Sequence, residues 1–250
     1  MTRSAAPPDA VVRYAAHGDG LIDVHLPASL HPAARPLVVL LHGGFWRPEY
    51  DRRHTRPLSN ALAAQGFVVA TPEYRRIGAG GWPGTFDDVS AAMGALPGLL
   101  AGIGVPTTTT TLLGHSAGGQ LALWLAGEGY DVARAVGLAP VADLRLAARE
   151  GLGGGAAVDL LGGTPEEVPD RYAAADPMTR LAEPPACAVV VVHGTEDLQV
   201  PVASSRGLAD RHRFVDYREL DGVEHFALID PLSTAWPAVL AAVRGEPAGG

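Results

Sequence analysis

A serine between small residues stands where one apolar run ends and another begins, in the sequence GHSAG at 114–118. This is the pattern G-x-S-x-G, here preceded by a strand-like run and followed by a helix-like run. A nucleophile on such a sharp turn projects its Oγ above the sheet, and the small flanking residues let strand and helix pack closely. The N–H of Ala117 can then bind an oxyanion. Alternatively, Ser116 only caps the helix over 117–127.

A catalytic serine needs a general base, and the base needs an acid that orients it. Asp197 follows the apolar run CAVVVVHG at 187–194, and His225 follows VDYREL at 215–220. If both runs are strands of one parallel sheet, these residues lie at the carboxyl edge together with Ser116. The chain order Ser, Asp, His is one of the known orders of a catalytic triad. The sequence therefore predicts a triad of Ser116, Asp197 and His225.

Each partner also has a structural interpretation. Asp197 could cap the helix that begins near Pro201, with Glu196 or Asp143 as the acid, and His225 could be a surface histidine. The remaining histidines lack H-x-x-x-H or cysteine-paired spacing, and no glycine-rich loop ends in Gly-Lys-Ser/Thr. We therefore expect neither a metal site nor a cofactor.

Short β-branched runs alternate with helix-like stretches along the chain, which predicts an α/β fold with a mostly parallel sheet and helices on both faces. An antiparallel pair, at 11–16 and 20–27, is expected to form one edge of the sheet. The predicted buried strands are 36–42, 67–73, 107–114, 133–140 and 187–194. The predicted helices are 55–66, 85–102, 117–129 and 201–212.

The length of 250 residues suits a single domain. The Gly- and Pro-rich segment 143–185 is too long for an ordinary connection, so we expect a small cap or a mobile lid there. Residues 1–10 and 245–250 are expected to be frayed ends.

The formal net charge of −8 argues against nucleic acid and anionic membrane surfaces as partners. A single cysteine, Cys187, allows no internal disulfide and is compatible with a reducing compartment. No apolar signal-peptide region or membrane span is visible, so the sequence predicts a cytoplasmic protein. It predicts no oligomeric state.

Four sequence segments resemble those of the α/β-hydrolase esterases, with the likeness extending over residues 11–244. HGGFW at 42–46 is similar to the HGG-x-W signature of the kynurenine formamidase-like branch. Similar to that group are also GHSAGGQ at 114–120, TPEYRRIGAGGWPGTFDDV at 71–89 and HGTEDLQVP at 193–201.

The resemblance implies hydrolysis of a small ester, aryl amide or formamide through an acyl-enzyme, as in a carboxylesterase or arylformamidase. It also implies an oxyanion hole formed by the backbone N–H groups of Gly44, Phe45 and Ala117. The glycines at 43 and 44 could instead form a plain turn after a strand, with His42 buried and hydrogen-bonded.

Residues near the predicted site in the sequence are candidates for a substrate pocket. Arg47, Arg75 or Arg76 could bind the amino-acid head of a formylkynurenine. Two other functions stay open, a binding protein without turnover and a prolyl-peptidase-like hydrolase. Apolar side chains that could line the pocket are those of Trp46, Trp82, Leu198 and Phe226.

Overall fold

The protein is built around an eight-stranded sheet with the strand order β1-β2-β4-β3-β5-β6-β7-β8. The computed structural model describes residues 5–28 and 34–247. β1 and β2 pair antiparallel with each other, and β2 pairs antiparallel with β4, whereas every pair from β4 to β8 is parallel. The strands are β1 (Ala10–Arg13), β2 (Leu21–His25), β3 (Arg35–Leu41), β4 (Val68–Pro72), β5 (Thr107–His115), β6 (Arg134–Leu138), β7 (Ala188–Gly194) and β8 (Asp216–Leu220).

The apolar core lies on both faces of this sheet, as expected for strands whose sequences are continuous apolar runs. Successive side chains of a strand point to opposite faces, and in β3 they do so into two separate clusters. Leu37 and Val39 pack on one face, and Val38 and Leu40 on the other. The predicted α/β class, parallel sheet and antiparallel edge pair are confirmed.

Helices connect the parallel strands and cover both faces. Four of these helices were predicted from the sequence, and their predicted bounds agree with the structure to within three residues. The last of the four lies just before β8 in the chain. The helices are α1 (Arg56–Ala64), α2 (Gly84–Gly102), α3 (Ala117–Ala126), α4 (Leu144–Arg149), α5 (Leu152–Leu161), α6 (Pro169–Ala175), α7 (Pro177–Arg180), α8 (Val202–Arg211) and α9 (Trp236–Arg244), with 3-10 helices at Arg52–Thr55 and His225–Ile229.

The segment 143–185 contains the short helices α4 to α7 between β6 and β7. It is anchored to α3, because the side chains of Gln120 and Trp124 donate hydrogen bonds to the carbonyls of Ala175 and Ala174. Whether it moves as a lid stays a prediction.

The two ends of the chain, predicted to fray, lie partly outside the described residues, namely 1–4 and 248–250. Within the described part, Ala10 pairs with Val24 in the sheet, and the carbonyl of Glu246 accepts a hydrogen bond from Arg218. These inner residues are therefore held by the fold.

Candidate active site

Ser116 occupies a strained turn between β5 and α3, with φ 57° and ψ −119°. A positive φ is rare for a residue with a Cβ and costs about 1–3 kcal/mol. The turn is fixed by the Ser116 N–H, which donates to the Leu138 carbonyl at 2.8 Å. The Ser116 side chain makes no capping hydrogen bond, so the capping interpretation does not explain this residue. Strain retained without a cap is typical of a functional position.

The glycines of the motif are required by close backbone contacts. A Cβ at Gly114 would lie 2.0 Å from the carbonyl oxygen of Gly118, and a Cβ at Gly118 would lie 2.1 Å from that of Leu41. The turn can therefore pack α3 against β5 and β3 only with glycine at both positions. This packing places Ser116 above the carboxyl edge of the sheet.

His225 and Asp197 meet at this edge. Nδ1 of His225 lies 2.6 Å from Oδ2 of Asp197. An ionised carboxylate only accepts hydrogen bonds, so Nδ1 carries the proton and Nε2 is left free as a base. Both His225 and Ser116 are almost fully buried, with 3% and 2% of their surface exposed, and both line one cleft.

The charge of Asp197 is maintained by four hydrogen bonds. Oδ2 accepts from His225 and from His193, and Oδ1 accepts from the N–H groups of Gln199 and Val200, both at 2.8 Å. Burial alone would raise the pKa of Asp197, but the hydrogen bonds from His193 and His225 hold it well below its usual range. Asp197 therefore caps its own turn and also contacts the predicted base.

The two other candidate acids have different positions. Glu196 is exposed to solvent, and Asp143 caps α4 by accepting a hydrogen bond from the N–H of Leu146 at 2.7 Å. Neither makes a hydrogen bond to His225 among the contacts of the described residues. The geometry therefore favours Asp197.

The buried side chain of His115 contacts His225. Its Nε2 lies 3.1 Å from the carbonyl oxygen of His225, and the two ring centroids are 4.4 Å apart. Burial, together with the neighbouring His225, holds the pKa of His115 well below its usual range. A neutral His115 can donate to this carbonyl without adding a positive charge beside the base.

The loop after β3 approaches Ser116 from the other side. A Cβ at Gly43 would lie 3.0 Å from the Ser116 Cβ, so only a glycine allows this approach. Gly44 and Phe45 follow in left-handed conformations, with φ 110° and 51°. Within the described residues, the N–H groups of Gly44, Phe45 and Ala117 have no acceptor. Free N–H groups beside a serine can stabilise an oxyanion.

His42, which begins this loop, is completely buried. Its Nε2 lies 2.8 Å from Oε1 of Glu73, and the ring of Tyr74 stacks on it at 4.3 Å between centroids. Although burial opposes ionisation, the hydrogen bond from His42 helps to lower the pKa of Glu73 to about 2. His42 is therefore structural, as the alternative interpretation of HGGFW has it, while the glycines after it contact the serine.

A cleft of about 960 Å³ opens above Ser116, near the upper end of the range for small-molecule sites. One wall comes from 44–57 and the other from 224–230. Phe45, Tyr50 and Phe226 supply aromatic surface. The rim also carries the acidic side chains of Glu49, Asp51, Glu224 and Asp230, and the basic side chains of Arg53 and Arg56.

Of the four predicted pocket residues, only Phe226 lines this cleft. Trp46 is 1% exposed and packs in the core, with a positive φ of 54°. Trp82 packs against Phe86 at 5.0 Å between ring centroids. Leu198 projects into solvent with 93% of its surface exposed. Proximity in the sequence was a poor guide for these three side chains.

The three arginines considered for substrate binding are engaged elsewhere and do not line the cleft. Arg47 binds Asp159 at 2.7 Å, Arg75 binds Asp88 at 2.7 Å, and Arg76 pairs with Glu73. Each guanidinium already has a carboxylate partner. The structure therefore offers no free arginine among these three.

Several residues of the site were not found from the sequence. His193, inside β7, donates to Asp197, while Tyr50 and His54 line the cleft. The one indication of a role for His193 in the sequence was its position, in a His-Gly pair that ends a predicted strand just before Asp197. Nothing in the sequence distinguishes the rim residues from ordinary loop residues.

Among residues 5–28 and 34–247, no group of His, Cys, Asp and Glu side chains is arranged to hold a metal ion. In the same part of the chain, no helix is long and apolar enough to cross a membrane.

The chain resembles proteins described as esterases in sequence and in fold. A family model described as BD-FAE matches residues 22–211. The chain is 26% identical over 239 residues to esterase LipC of Mycobacterium tuberculosis, with 86% of this chain covered. It spans 59% of the length of that curated relative.

Two solved structures share the fold. A truncated carbohydrate esterase from gut microbiota superposes with a TM-score of 0.79 at 17% identity, covering 95% of this chain and 97% of that one. Esterase B from Lactobacillus rhamnosis, inhibited by a tributyrin phosphonate, superposes with a TM-score of 0.74 at 19% identity, covering 96% and 85%. The likeness shows that this chain has the α/β-hydrolase fold.

Proposed function

Since the chain belongs to the BD-FAE family, we propose that it is a serine hydrolase that cleaves small esters through an acyl-enzyme. One observation carries the proposal. His225, oriented by Asp197 through a 2.6 Å hydrogen bond, lines the same cleft as Ser116, which sits in a strained turn beside free N–H groups. A protein that only binds a ligand needs no acid-oriented histidine in the same cleft as a serine.

The proposed reaction uses these positions. Nε2 of His225 accepts the Ser116 hydroxyl proton as Oγ attacks the ester carbonyl carbon. The N–H groups of Gly44, Phe45 and Ala117 stabilise the oxyanion of the tetrahedral intermediate. When the intermediate collapses, the alcohol leaves with the proton held by His225, and the acyl group stays on Ser116.

The second half of the reaction reverses these roles. Water gives a proton to His225 and attacks the acyl-enzyme, and a second tetrahedral intermediate forms in the same oxyanion site. Its collapse releases the acid and returns the proton to Ser116. Asp197 stays ionised throughout and holds the imidazole in one tautomer.

Esters are preferred in this proposal over the arylformamides of the sequence resemblance. LipC and esterase B are described as esterases, and both resemble this chain. A formylkynurenine would need a partner for its carboxylate, yet Arg47, Arg75 and Arg76 are each paired with an acidic side chain. Cleavage of simple formamides is therefore the second candidate.

Labelling with a fluorophosphonate probe separates an enzyme from a binding protein of the same fold. Esterase B takes a phosphonate inhibitor, which motivates this choice of probe. We expect the wild-type protein and Ser59→Ala to be labelled, because Ser59 is a buried serine outside the cleft. Ser116→Ala should not be labelled. Absence of labelling in the folded wild type, or equal labelling of Ser116→Ala, would overturn the proposal.

A further inference from the structure

We propose that His193 is a positioning residue for the triad, and that Ser205 fixes its tautomer. The inference rests on the proposed function, since it concerns the acid of that triad. It concerns residues that lie behind the catalytic groups, inside β7 and α8, and that do not line the cleft.

A second imidazole contacts the acid at the oxygen that His225 uses. Nε2 of His193 lies 3.1 Å from Oδ2 of Asp197, and His225 reaches the same atom at 2.6 Å. The His193 side chain is completely buried, and β7 fixes its backbone. Two donors from different elements, β7 and the 3-10 helix after β8, therefore hold one carboxylate oxygen between them.

The contacts of His193 assign its tautomer. Nε2 faces two acceptors, Oδ2 of Asp197 and the carbonyl oxygen of Val200, both at 3.1 Å, so this nitrogen carries a proton. Nδ1 lies 2.7 Å from Oγ of Ser205, whose hydroxyl can donate to it. A neutral ring with its proton on Nε2 satisfies every one of these contacts. The chain of hydrogen bonds runs from Ser205 through His193 to Asp197.

Ser205 matters because the opposite tautomer would be harmful. With the proton on Nδ1, the lone pair of Nε2 would face the carboxylate, and the two would repel each other. The buried Ser205 hydroxyl stabilises the useful tautomer by donating to Nδ1. Ser205 thus orients His193 in the same way as the acid of a triad orients the catalytic histidine.

Amide substitutions distinguish this role from packing. The side-chain nitrogen of glutamine reaches the position of Nε2, whereas that of asparagine reaches only that of Nδ1. We expect His193→Gln to keep kcat within about threefold of wild type, and His193→Asn and Ser205→Ala to lower kcat about tenfold or more with KM unchanged. The control variants are Ser204→Ala, the neighbouring buried serine of α8, and His212→Gln, a buried histidine bonded to a backbone carbonyl.

Nitrogen NMR of the imidazole rings gives a readout that needs no activity. The neutral ring of His193 in the folded wild-type protein should show the Nε2–H tautomer, and Ser205→Ala should lose this single tautomer. An Nδ1–H tautomer in wild type, or equal losses of kcat in the Gln and Asn variants, would overturn the positioning role. Absence of fluorophosphonate labelling would instead overturn the esterase proposal, so the two failures are distinguishable.

Discussion

Nδ1 of His225 lies 2.6 Å from Oδ2 of Asp197, although 28 residues separate the two in the sequence. The contact forms because β7 and β8 are neighbours in the sheet and both of their following loops lie at its carboxyl edge. Glu196, one residue earlier, projects into solvent. Glu196 and Asp197 lie in one turn, and only the side chain of Asp197 points toward His225.

Replacing each acid by its amide tests this assignment. In Asp197→Asn, a neutral amide no longer stabilises the imidazolium or selects the Nδ1–H tautomer, so we expect kcat to fall by up to about 10⁴-fold. Glu196→Gln serves as the matched control and should stay within about twofold of wild type, since exposed substitutions of this kind have small effects. Steady-state kinetics on a p-nitrophenyl ester measures both. A larger loss in Glu196→Gln would reverse the assignment.

The left-handed conformation of Gly44 gives a second prediction. Gly44 has φ 110°, and a Cβ there would lie 2.4 Å from the Cβ of Tyr50, so Gly44→Ala must displace the loop that carries the proposed oxyanion donors. Loss of one such donor lowers kcat by about 10²- to 10³-fold. We expect a fall of this size in kcat, with a smaller change in KM.

Gly66 provides the control for backbone strain. It has a similar φ of 93°, but its Cβ would meet nothing within 4 Å. Gly66→Ala should therefore lose about 1 kcal/mol of stability and keep its kcat. If both alanine variants lose activity in proportion to their loss of stability, the loop around Gly44 has only a structural role.

The sequence predicted which residues meet at the candidate site because each follows a recognisable strand, and a parallel sheet brings such positions to one edge. Of the four side chains predicted to line the pocket, only Phe226 lines the cleft. Trp46 and Phe45 are adjacent and both have a positive φ, yet Trp46 is buried in the core and Phe45 lines the cleft. Arg47 and Asp159 are 112 residues apart in the sequence, so their ion pair could not be predicted from the residues around Arg47.

Asp176 gives a prediction about stability and pH. This side chain is completely buried between α6 and α7, and its Oδ2 has no partner among the described residues. Burial raises the pKa of Asp176 to about 7, and the charge of Asp143 adds to this rise against hydrogen bonds from the N–H groups of Leu144 and Met178. The folded protein therefore holds a proton at Asp176 that the unfolded chain releases near pH 4.

The sign of the pH dependence follows from this difference. Between about pH 4 and 7 the folded state binds the extra proton, so the contribution of Asp176 to the free energy of unfolding falls as pH rises, and it is constant above about pH 7. Asp176→Asn mimics the protonated form and keeps Oδ1 as an acceptor. We expect the variant to gain stability relative to wild type on going from about pH 4 to pH 8, on the order of 3 kcal/mol.

Urea unfolding of both proteins at the two pH values measures this change. Asp170→Asn, an exposed substitution in the first turn of α6, is the control and should follow wild type at both. A difference between Asp176→Asn and wild type that does not vary with pH would show that Asp176 is ionised in the folded protein.

The composition of the cleft rim gives the last prediction, on substrate choice. The rim carries the carboxylates of Glu49 and Glu224, whereas Arg53 lies 3.7 Å from Asp51 and Arg56 lies 2.9 Å from Asp23. Both rim arginines therefore have acidic partners, and an anionic acyl group would meet unfavourable charge. Phe45 offers an apolar surface for flat groups.

We expect kcat/KM to be highest for p-nitrophenyl esters with short neutral acyl groups, and about tenfold or more lower for an anionic hemisuccinate of similar length. Esters of long acyl chains, a simple arylformamide and N-formylkynurenine should also have a lower kcat/KM than the short neutral esters. Added salt should narrow the gap between neutral and anionic esters, because screening weakens charge repulsion and leaves apolar contacts intact. A steady rise of kcat/KM toward long chains would indicate a lipase-like cleft instead, and rapid turnover of both formamides would restore the formamidase interpretation of HGGFW.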